Sequence, residues 1–327
     1  MSQLTDKQIL DWISKHYPVG RHAVARELGI PESRARSLLV VFHKNAEMSG
    51  IEIQRCDPKK AVEEYLRDKG MNWQQVQDLL TQKTYPVMQI NTESKREFSF
   101  GISSDLHYCD KACAVDEIAD FYSQCDKAGC EFIVNAGDIT AGNNVYRGQY
   151  NDLAVFGYSD QLSYIEKTLP KLANGGKTYL ISGNHDLSFK QNNGAHFITS
   201  LTERRSDLVD CGDYDGSIEV NGVKIGLHHG GGGNAYAISY KLQKAIELIG
   251  SDQKPQIYVL GHYHASLYTF MRNIHCFLPG CFQKPNDLSV RFNLPNTIGG
   301  WIVHLVVNND KHNTIRKIAT EYVAYYR

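Results

Sequence analysis

Five times between residues 98 and 264, a short apolar run ends in a block of Asp, Asn, His and Gly. Phe98-Ser99-Phe100-Gly101-Ile102 leads to Asp105-Leu106-His107. Phe132-Ile133-Val134-Asn135-Ala136 leads to Gly137-Asp138, and Thr178-Tyr179-Leu180-Ile181 to Gly183-Asn184-His185-Asp186. Val223-Lys224-Ile225-Gly226-Leu227 leads to His228-His229-Gly230, and Gln256-Ile257-Tyr258-Val259-Leu260 to Gly261-His262-Tyr263-His264. Runs of this length, rich in β-branched and aromatic residues and stopped by polar turns, are strands. The expectation is that all five feed one edge of a sheet, the edge where ligands collect in layered α/β folds. Glycines beside the polar residues permit tight turns and close backbone approach.

The residue types at that edge carry their own chemistry. Carboxylate oxygens and imidazole nitrogens are ligands for divalent ions such as Mn, Fe, Zn or Ni. Asp, His, Asp, Asn, His, His and His exceed what one tetrahedral ion needs. The surplus suggests two ions sharing a carboxylate. Ions about 4 Å apart suit in-line displacement at a phosphate ester. Each block alone could be an ordinary turn held by its own side-chain hydrogen bonds; the ordered set, each member following an apolar run, is what points to a site.

In order and type the five blocks resemble the signature of the calcineurin-like metallophosphoesterase superfamily, over residues 97–307. The resemblance implies an α/β fold: a four-layer α/β/β/α sandwich with metals at the strand ends. It implies two divalent ions, manganese first, with Fe, Zn, Ni or Mg as alternatives. Asp105, His107 and His264 would hold one ion, Asn184, His229 and His262 the other, and Asp138 would bridge them. His185 would be no ligand but would lie over the substrate, stabilising charge or protonating the leaving oxygen. Asp186 would orient His185. The nucleophile would be a metal-bridging hydroxide. Neighbours in a strand face opposite sides, so only one of His228 and His229 reaches the site. His229, at the strand's end before Gly230-Gly231-Gly232-Gly233, is the expected ligand, and His228 is the alternative.

Residues 1–90 lack this strand-and-ligand pattern and read as a small helical domain, with the catalytic domain at 96–327. Residues 4–16 read as a helix with Thr5 as N-cap and Ile9, Leu10, Trp12 and Ile13 apolar. Residues 22–42, with Gly29 at a turn and Pro31 in the next helix's first turn, resemble a helix-turn-helix. Glu32, Ser33, Arg34, Arg36 and Ser37 would line its groove-facing side. Residues 20–45 carry five Lys/Arg against two Asp/Glu, a modest basic excess of the kind that binds phosphate backbones. The expected partner of 20–45 is nucleic acid; a module that docks on protein is the other reading. Further helices at 60–69 and 72–81, with Trp73 as a core anchor, and a linker at 83–95 complete this region.

Inside the catalytic domain, residues 140–158 should lie near the site mouth, with Asn143, Asn144, Tyr146 and Arg147 available to a substrate phosphate. The Gly230–Gly233 run reads as a substrate-side turn before a helix start at 234–241. Residues 266–307 are strand-rich and should complete the second sheet. Cys109 and Cys113, four apart, would share a helix face. Eight cysteines without a basic-then-apolar leader at the N-terminus, and no apolar run of membrane-spanning length, indicate reduced thiols in a cytoplasmic protein with no membrane partner. The net charge of −1 adds no general pull toward nucleic acid.

The function so implied is two-metal hydrolysis of a phosphoester, first as a phosphodiesterase or nuclease on nucleic acid. A phosphoesterase of a small molecule or phosphoprotein, its N-terminal helices serving for docking, is the alternative. A non-catalytic DNA-binding regulator is the third reading, and the complete ligand set counts against it.

Overall fold

The structure, a computed structural model, describes residues 4–16, 19–48, 87–90, 96–250, 253–292, 294–308 and 315–326. The helices expected at 60–69 and 72–81, with Trp73 and Cys56, lie outside the described residues. Two compact units divide the chain, Met1–Lys83 and Thr84–Arg327.

In the first unit, α1 (Asp6–His16), α2 (Arg21–Leu28) and α3 (Glu32–Met48) enclose a small core. Ile9, Ile13, Val24, Ala35 and Leu38 are its buried members. Thr5 and Gln8 cap α1 reciprocally: the Gln8 amide donates to Thr5 Oγ1 at 3.4 Å, and the Thr5 amide donates to Gln8 Oε1 at 2.9 Å. Gly29 ends α2 at φ 62°, left-handed backbone that suits glycine. Arg34 is not on a free groove-facing side as expected. Its guanidinium donates to Asp6 at 2.6 Å and to the Leu4 carbonyl at 2.9 Å, tying α3 to α1.

The second unit is built on two six-stranded sheets. Its strands are β1 (Met88–Ile90), β2 (Glu97–Ser103), β3 (Cys130–Asn135), β4 (Lys177–Ser182), β5 (Leu208–Asp213), β6 (Asp215–Val220), β7 (Val223–His229), β8 (Ile257–Gly261), β9 (Ser266–Met271), β10 (Ile274–Pro279), β11 (Gly299–Val307) and β12 (Ile315–Ala324). One sheet runs β12-β11-β2-β3-β4-β5, the other β1-β6-β7-β8-β10-β9. The helices are α4 (Val115–Lys127), α5 (Tyr158–Thr168), α6 (Ser188–Asn193), α7 (Phe197–Arg204), α8 (Ile238–Glu247) and α9 (Asp287–Phe292).

Strand alternation builds the layers. Phe98, Phe100 and Ile102 of β2, with Phe132 and Val134 of β3, meet Ile218, Ile225, Leu227, Ile257 and Val259 of the other sheet. Ile133 and Leu180 face the opposite way and pack on Ile118, Phe121, Leu162, Ile165 and Leu201 of α4, α5 and α7. On the far side, Tyr258 and Leu260 of β8 meet Leu242 and Ile246 of α8. The result is the α/β/β/α sandwich.

Four expectations are corrected here. The five ligand-bearing strands do not share one sheet: β2, β3 and β4 pair in parallel in the first, β7 and β8 in parallel in the second. Residues 266–307 divide likewise, because β9 and β10 extend the second sheet while β11 pairs antiparallel with β2 in the first. Part of the expected linker is strand: β1 pairs in parallel with β6, Met88 opposite Ile218 and Ile90 opposite Val220, packing its two apolar residues on the intersheet core. Cys109 and Cys113 also depart from the helix expected there. Cys109 takes φ 76° in a turn and Cys113 donates to the Leu106 carbonyl at 3.3 Å. The described cysteines are free thiols. Among the described residues, no helix is long and apolar enough to cross a membrane.

Candidate metal centre

The carboxyl ends of β2, β3, β4, β7 and β8 converge, and the five polar blocks converge with them. Asp105 and His107 follow β2, Asp138 follows β3, Asn184 and His185 follow β4, His229 closes β7, and His262 and His264 follow β8. Their ligand atoms form three overlapping groups, each within 4.8 Å: Asp105, His107 and His264; Asp138, His229 and His262; and His107, Asp138 and His185. His107 Nε2 and His264 Nε2 are 3.1 Å apart, and Asp105 Oδ1 is 3.3 Å from the latter. Asn184 Oδ1 lies 3.0 Å from both His229 Nε2 and His262 Nδ1. Asp138 Oδ2 is 3.1 Å from His229 Nε2 and 4.0 Å from His185 Nε2.

The donor set fits a divalent cation. His229 Nδ1 donates to the Ala136 carbonyl at 2.7 Å, and His262 Nε2 donates to the Gly232 carbonyl at 3.1 Å. Those bonds commit one ring nitrogen of each histidine to a carbonyl and turn the opposite nitrogen toward the oxygens of Asn184 and Asp138, the arrangement that carbonyl partners impose on metal-binding histidines. Asp105 Oδ1 is buried and accepts no hydrogen bond. Lone pairs converging in a dry site call for positive charge.

The electrostatics agree. Burial would raise the Asp105 carboxyl, but the close approach and charge of His264 and the field of His229 bring it down to about 2. Burial also opposes ionisation of Asp138, and His229 and His185 override it, holding the group well below the ordinary carboxylate range. Burial would lower His229, yet the Asp138 carboxylate raises it to about 9. A field that holds a proton between His229 and Asp138 favours a cation in its place. His107 is driven well below its ordinary value by burial, then by His185 and His264, so it stays neutral and ready to ligate.

Backbone strain accompanies the candidate ligands. Asp105, His107, Asp138, His262 and His264 have φ of 53°, 49°, 57°, 82° and 52°. Left-handed backbone is uncommon outside glycine and costs of order 1 kcal/mol per residue, sustained where surrounding bonds over-determine it. Here the Asp105 amide donates to the Gly137 carbonyl at 2.9 Å and the His107 amide to the Asp138 carbonyl at 3.1 Å. Gly183 explains itself by proximity: a Cβ there would stand 2.1 Å from Asp138 Oδ1 and 2.6 Å from its backbone nitrogen.

Asp186 does not have the expected role. His185 is held instead by the Ala141 carbonyl, which accepts from Nδ1 at 2.6 Å. The buried Asp186 carboxylate accepts from the backbone amides of Asp138, Ile139, Thr140 and Gly183 at 2.9, 3.3, 3.0 and 2.8 Å. Burial and the charge of Asp138 raise this carboxyl to about 7. Asp186 therefore braces the loop that carries Asp138 onto the loop that carries Asn184.

His228 and His229 part as strand alternation requires. His229 is buried in the centre, while His228 pairs with Asp215 at 2.5 Å on the other face. His229→Ala is expected to lower metal affinity at least about 10-fold, and His228→Ala to leave it within about twofold, by titration of the metal-stripped variants.

A cavity of about 170 Å³ opens over the centre, lined by His107, Asp138, His185, His262 and His264. Of the four loop residues expected to reach substrate, Tyr146 lines it, with its hydroxyl donating to Asp152 at 2.7 Å. Gly232 and Gly233 line the opposite wall. Sequence reading missed Gln283 and Asn286, between β10 and α9, and Ser289 in α9, which also line the cavity. No local pattern announces them. Tyr263, passed over as a spacer between two ligands, was detectable: its hydroxyl donates to the Gly231 carbonyl at 3.0 Å and pins the glycine loop to the ligand loop.

The chain is similar to several known proteins. Two curated relatives are each called DNA polymerase II small subunit. The one from Archaeoglobus fulgidus is 29% identical over 154 residues, 43% of this chain and 31% of the relative. The one from Methanothermobacter thermautotrophicus is 21% identical over 252 residues, 63% of this chain and 52% of the relative. The chain thus spans a third to a half of the length of these relatives. A solved structure of an archaeal phosphodiesterase is also similar, at 15% identity and TM-score 0.39, covering 69% of this chain and 100% of the other. The family model for calcineurin-like phosphoesterases matches residues 98–292, more than half of the chain and all five blocks. The chain belongs to the calcineurin-like phosphoesterase family.

Proposed function

We propose that the chain hydrolyses phosphodiester bonds of nucleic acid at a centre of two divalent ions, manganese first among the candidates. The observation that carries the diester is the composition of the cavity: among the described residues that line it there is no Lys or Arg. A phosphomonoester carries a charge near −2 at neutral pH, which proteins meet with guanidinium or ammonium groups. A diester carries one charge, a smaller demand that the cations and His185 can meet.

Asp105, His107 and His264 would hold one ion, Asn184, His229 and His262 the second, with Asp138 shared. When bound, the ions supply positive charge that activates water and offsets charge on the phosphoryl oxygens. The chain's own part is orientation and proton transfer. With Nδ1 committed to Ala141, His185 presents Nε2 to the cavity, where it can give a proton to the leaving oxygen.

Nucleic acid as the substrate class draws support from the names of the two curated relatives and from the helix-turn-helix-like run of α2, Gly29 and α3. Arg21, Arg26 and Arg34 are spent on Glu32, Glu27 and Asp6. Arg36 and Lys44 are exposed and form no ion pair among the described residues, so on this reading they make the phosphate contacts. One observation favours the docking alternative: Val40 and Val41 of α3 are 62% and 42% exposed, apolar surface suited to a protein partner.

The test is cleavage of labelled single- and double-stranded DNA and RNA by manganese-loaded protein, with His185→Ala as control. Cleavage is expected, reduced roughly 10²- to 10⁴-fold in the variant while bound metal is unchanged. Turnover of bis-p-nitrophenyl phosphate with every nucleic acid left intact would overturn the substrate class.

A further inference from the structure

A second groove, about 390 Å³, adjoins the metal cavity and shares Asn234, Tyr263 and Leu294 with it. Tyr236, just before α8, and Ile238 and Lys241 in its first turn also line the groove. We propose that this groove binds the nucleotide next to the scissile phosphate, its base against Tyr236 and its phosphate against Lys241. The inference deepens the nucleic-acid reading above and rests on it.

Four features argue for that occupant. First, the groove is continuous with the cavity, so a chain bound over the metals runs into it. Second, its volume lies in the range of small-ligand sites, enough for a base and sugar where the metal cavity admits little beyond a phosphate. Third, the Tyr236 ring is fully exposed, and the ring is planar and apolar enough to stack on any base. An aromatic ring left wholly in water on a glycine-rich loop has no packing role. Fourth, the groove's positive charge is the cation that the metal cavity lacks. The Lys241 ammonium sits 5.6 Å from the Tyr263 ring centroid and forms no ion pair with a carboxylate among the described residues. It stands in the first turn of α8, whose N-cap Ala237 offers no side-chain cap, so the positive end of the helix adds to the attraction for an anion.

The groove is also mechanically coupled to the centre. Tyr263 lies between the ligands His262 and His264 and donates to the Gly231 carbonyl, and the Gly232 carbonyl holds His262. A nucleotide seated against Tyr236 and Lys241 is therefore placed with respect to the ligands by one short, tethered loop. The expected specificity is for a strand that continues past the cleaved bond, with little preference among bases, since stacking is sequence-tolerant.

Lys241→Ala and Tyr236→Ala test this, because neither residue belongs to the metal centre. Two readouts are needed: hydrolysis by manganese-loaded protein, and binding of a fluorescein-labelled oligothymidylate of about ten nucleotides to chelator-treated protein by anisotropy. Both variants should turn over bis-p-nitrophenyl phosphate within about twofold of wild type, which shows that they fold. Each should lose roughly 5- to 50-fold in kcat/KM and in affinity on the oligonucleotide, the scale of one stacking or ionic contact. Lys241→Ala should also flatten the dependence of log Kd on log salt by about 0.7, the loss of one contact to single-stranded phosphate. If wild type cleaves the oligonucleotide and both variants match it, the groove assignment is wrong and the nucleic-acid reading stands. If wild type turns over the model diester but neither binds nor cleaves the oligonucleotide, both fall together.

Discussion

Asp138→Asn is expected to reduce hydrolysis of any phosphodiester by at least about 10³-fold, the scale of losing a principal electrostatic stabiliser. Asp138 belongs to two of the three candidate groups and joins them, while His107 links them to the third. Its carboxylate stays ionised in a dry site because His229 and His185 surround it. Asparagine has the same shape and can still accept the His185 amide, which now donates to Oδ1 at 2.8 Å. The loop should therefore stay folded while the negative charge between the ions is gone. Metal content should fall along with turnover, and circular dichroism should be unchanged. An Asp138→Asn protein that keeps its full metal complement and turns over within about tenfold of wild type would remove Asp138 from the shared position.

The second large effect is on stability. Asp186→Ala leaves four backbone amides without an acceptor in a buried loop. Each unsatisfied donor costs about 1–3 kcal/mol, partly relieved where water enters. A loss of about 3 kcal/mol or more is expected, lowering Tm of the second unit by roughly 6–12 °C. Asp186→Asn separates this bracing role from one directed at His185. An amide oxygen can serve Asp138, Ile139 and Gly183, which now meet Oδ2, while its NH₂ faces the Thr140 amide, so the rescue should be partial. If Asp186→Ala melts with wild type and loses only catalysis, the carboxylate acts on His185 after all.

The candidate ligand cluster was legible because metal chemistry accepts few side chains. Asp105, His107, Asp138, Asn184, His229, His262 and His264 stand at strand ends that apolar runs announce, and the structure brings the seven into one place. Alternation meant that only one of His228 and His229 could reach the site, the strand-end position before the glycine run chose His229, and the two do face apart. The partition of strands between sheets was not legible. β2 to β4 and β7 to β8 are all covered on both faces, so their runs carry no mark of which sheet they join. Asp186 was misread for a related reason. It adjoins His185 in sequence, but its carboxylate turns to amides 46 to 48 residues away, a long-range contact that local spacing does not encode. The left-handed backbone at five ligands left no trace either, since the usual signal for it is glycine or asparagine, and here Asp and His bear it. Arg34 shows the same limit in the first unit: a basic residue on an amphipathic helix reads as a phosphate contact until Asp6 is found beside it.

Electron paramagnetic resonance of the manganese-titrated protein, with metal content measured on the same sample, tests the shared centre most directly. Two ions per chain and an exchange-coupled signal, as from ions about 4 Å apart, are expected, with the coupling lost in Asp138→Asn. A single uncoupled ion per chain at saturation would contradict a two-ion centre built on Asp138.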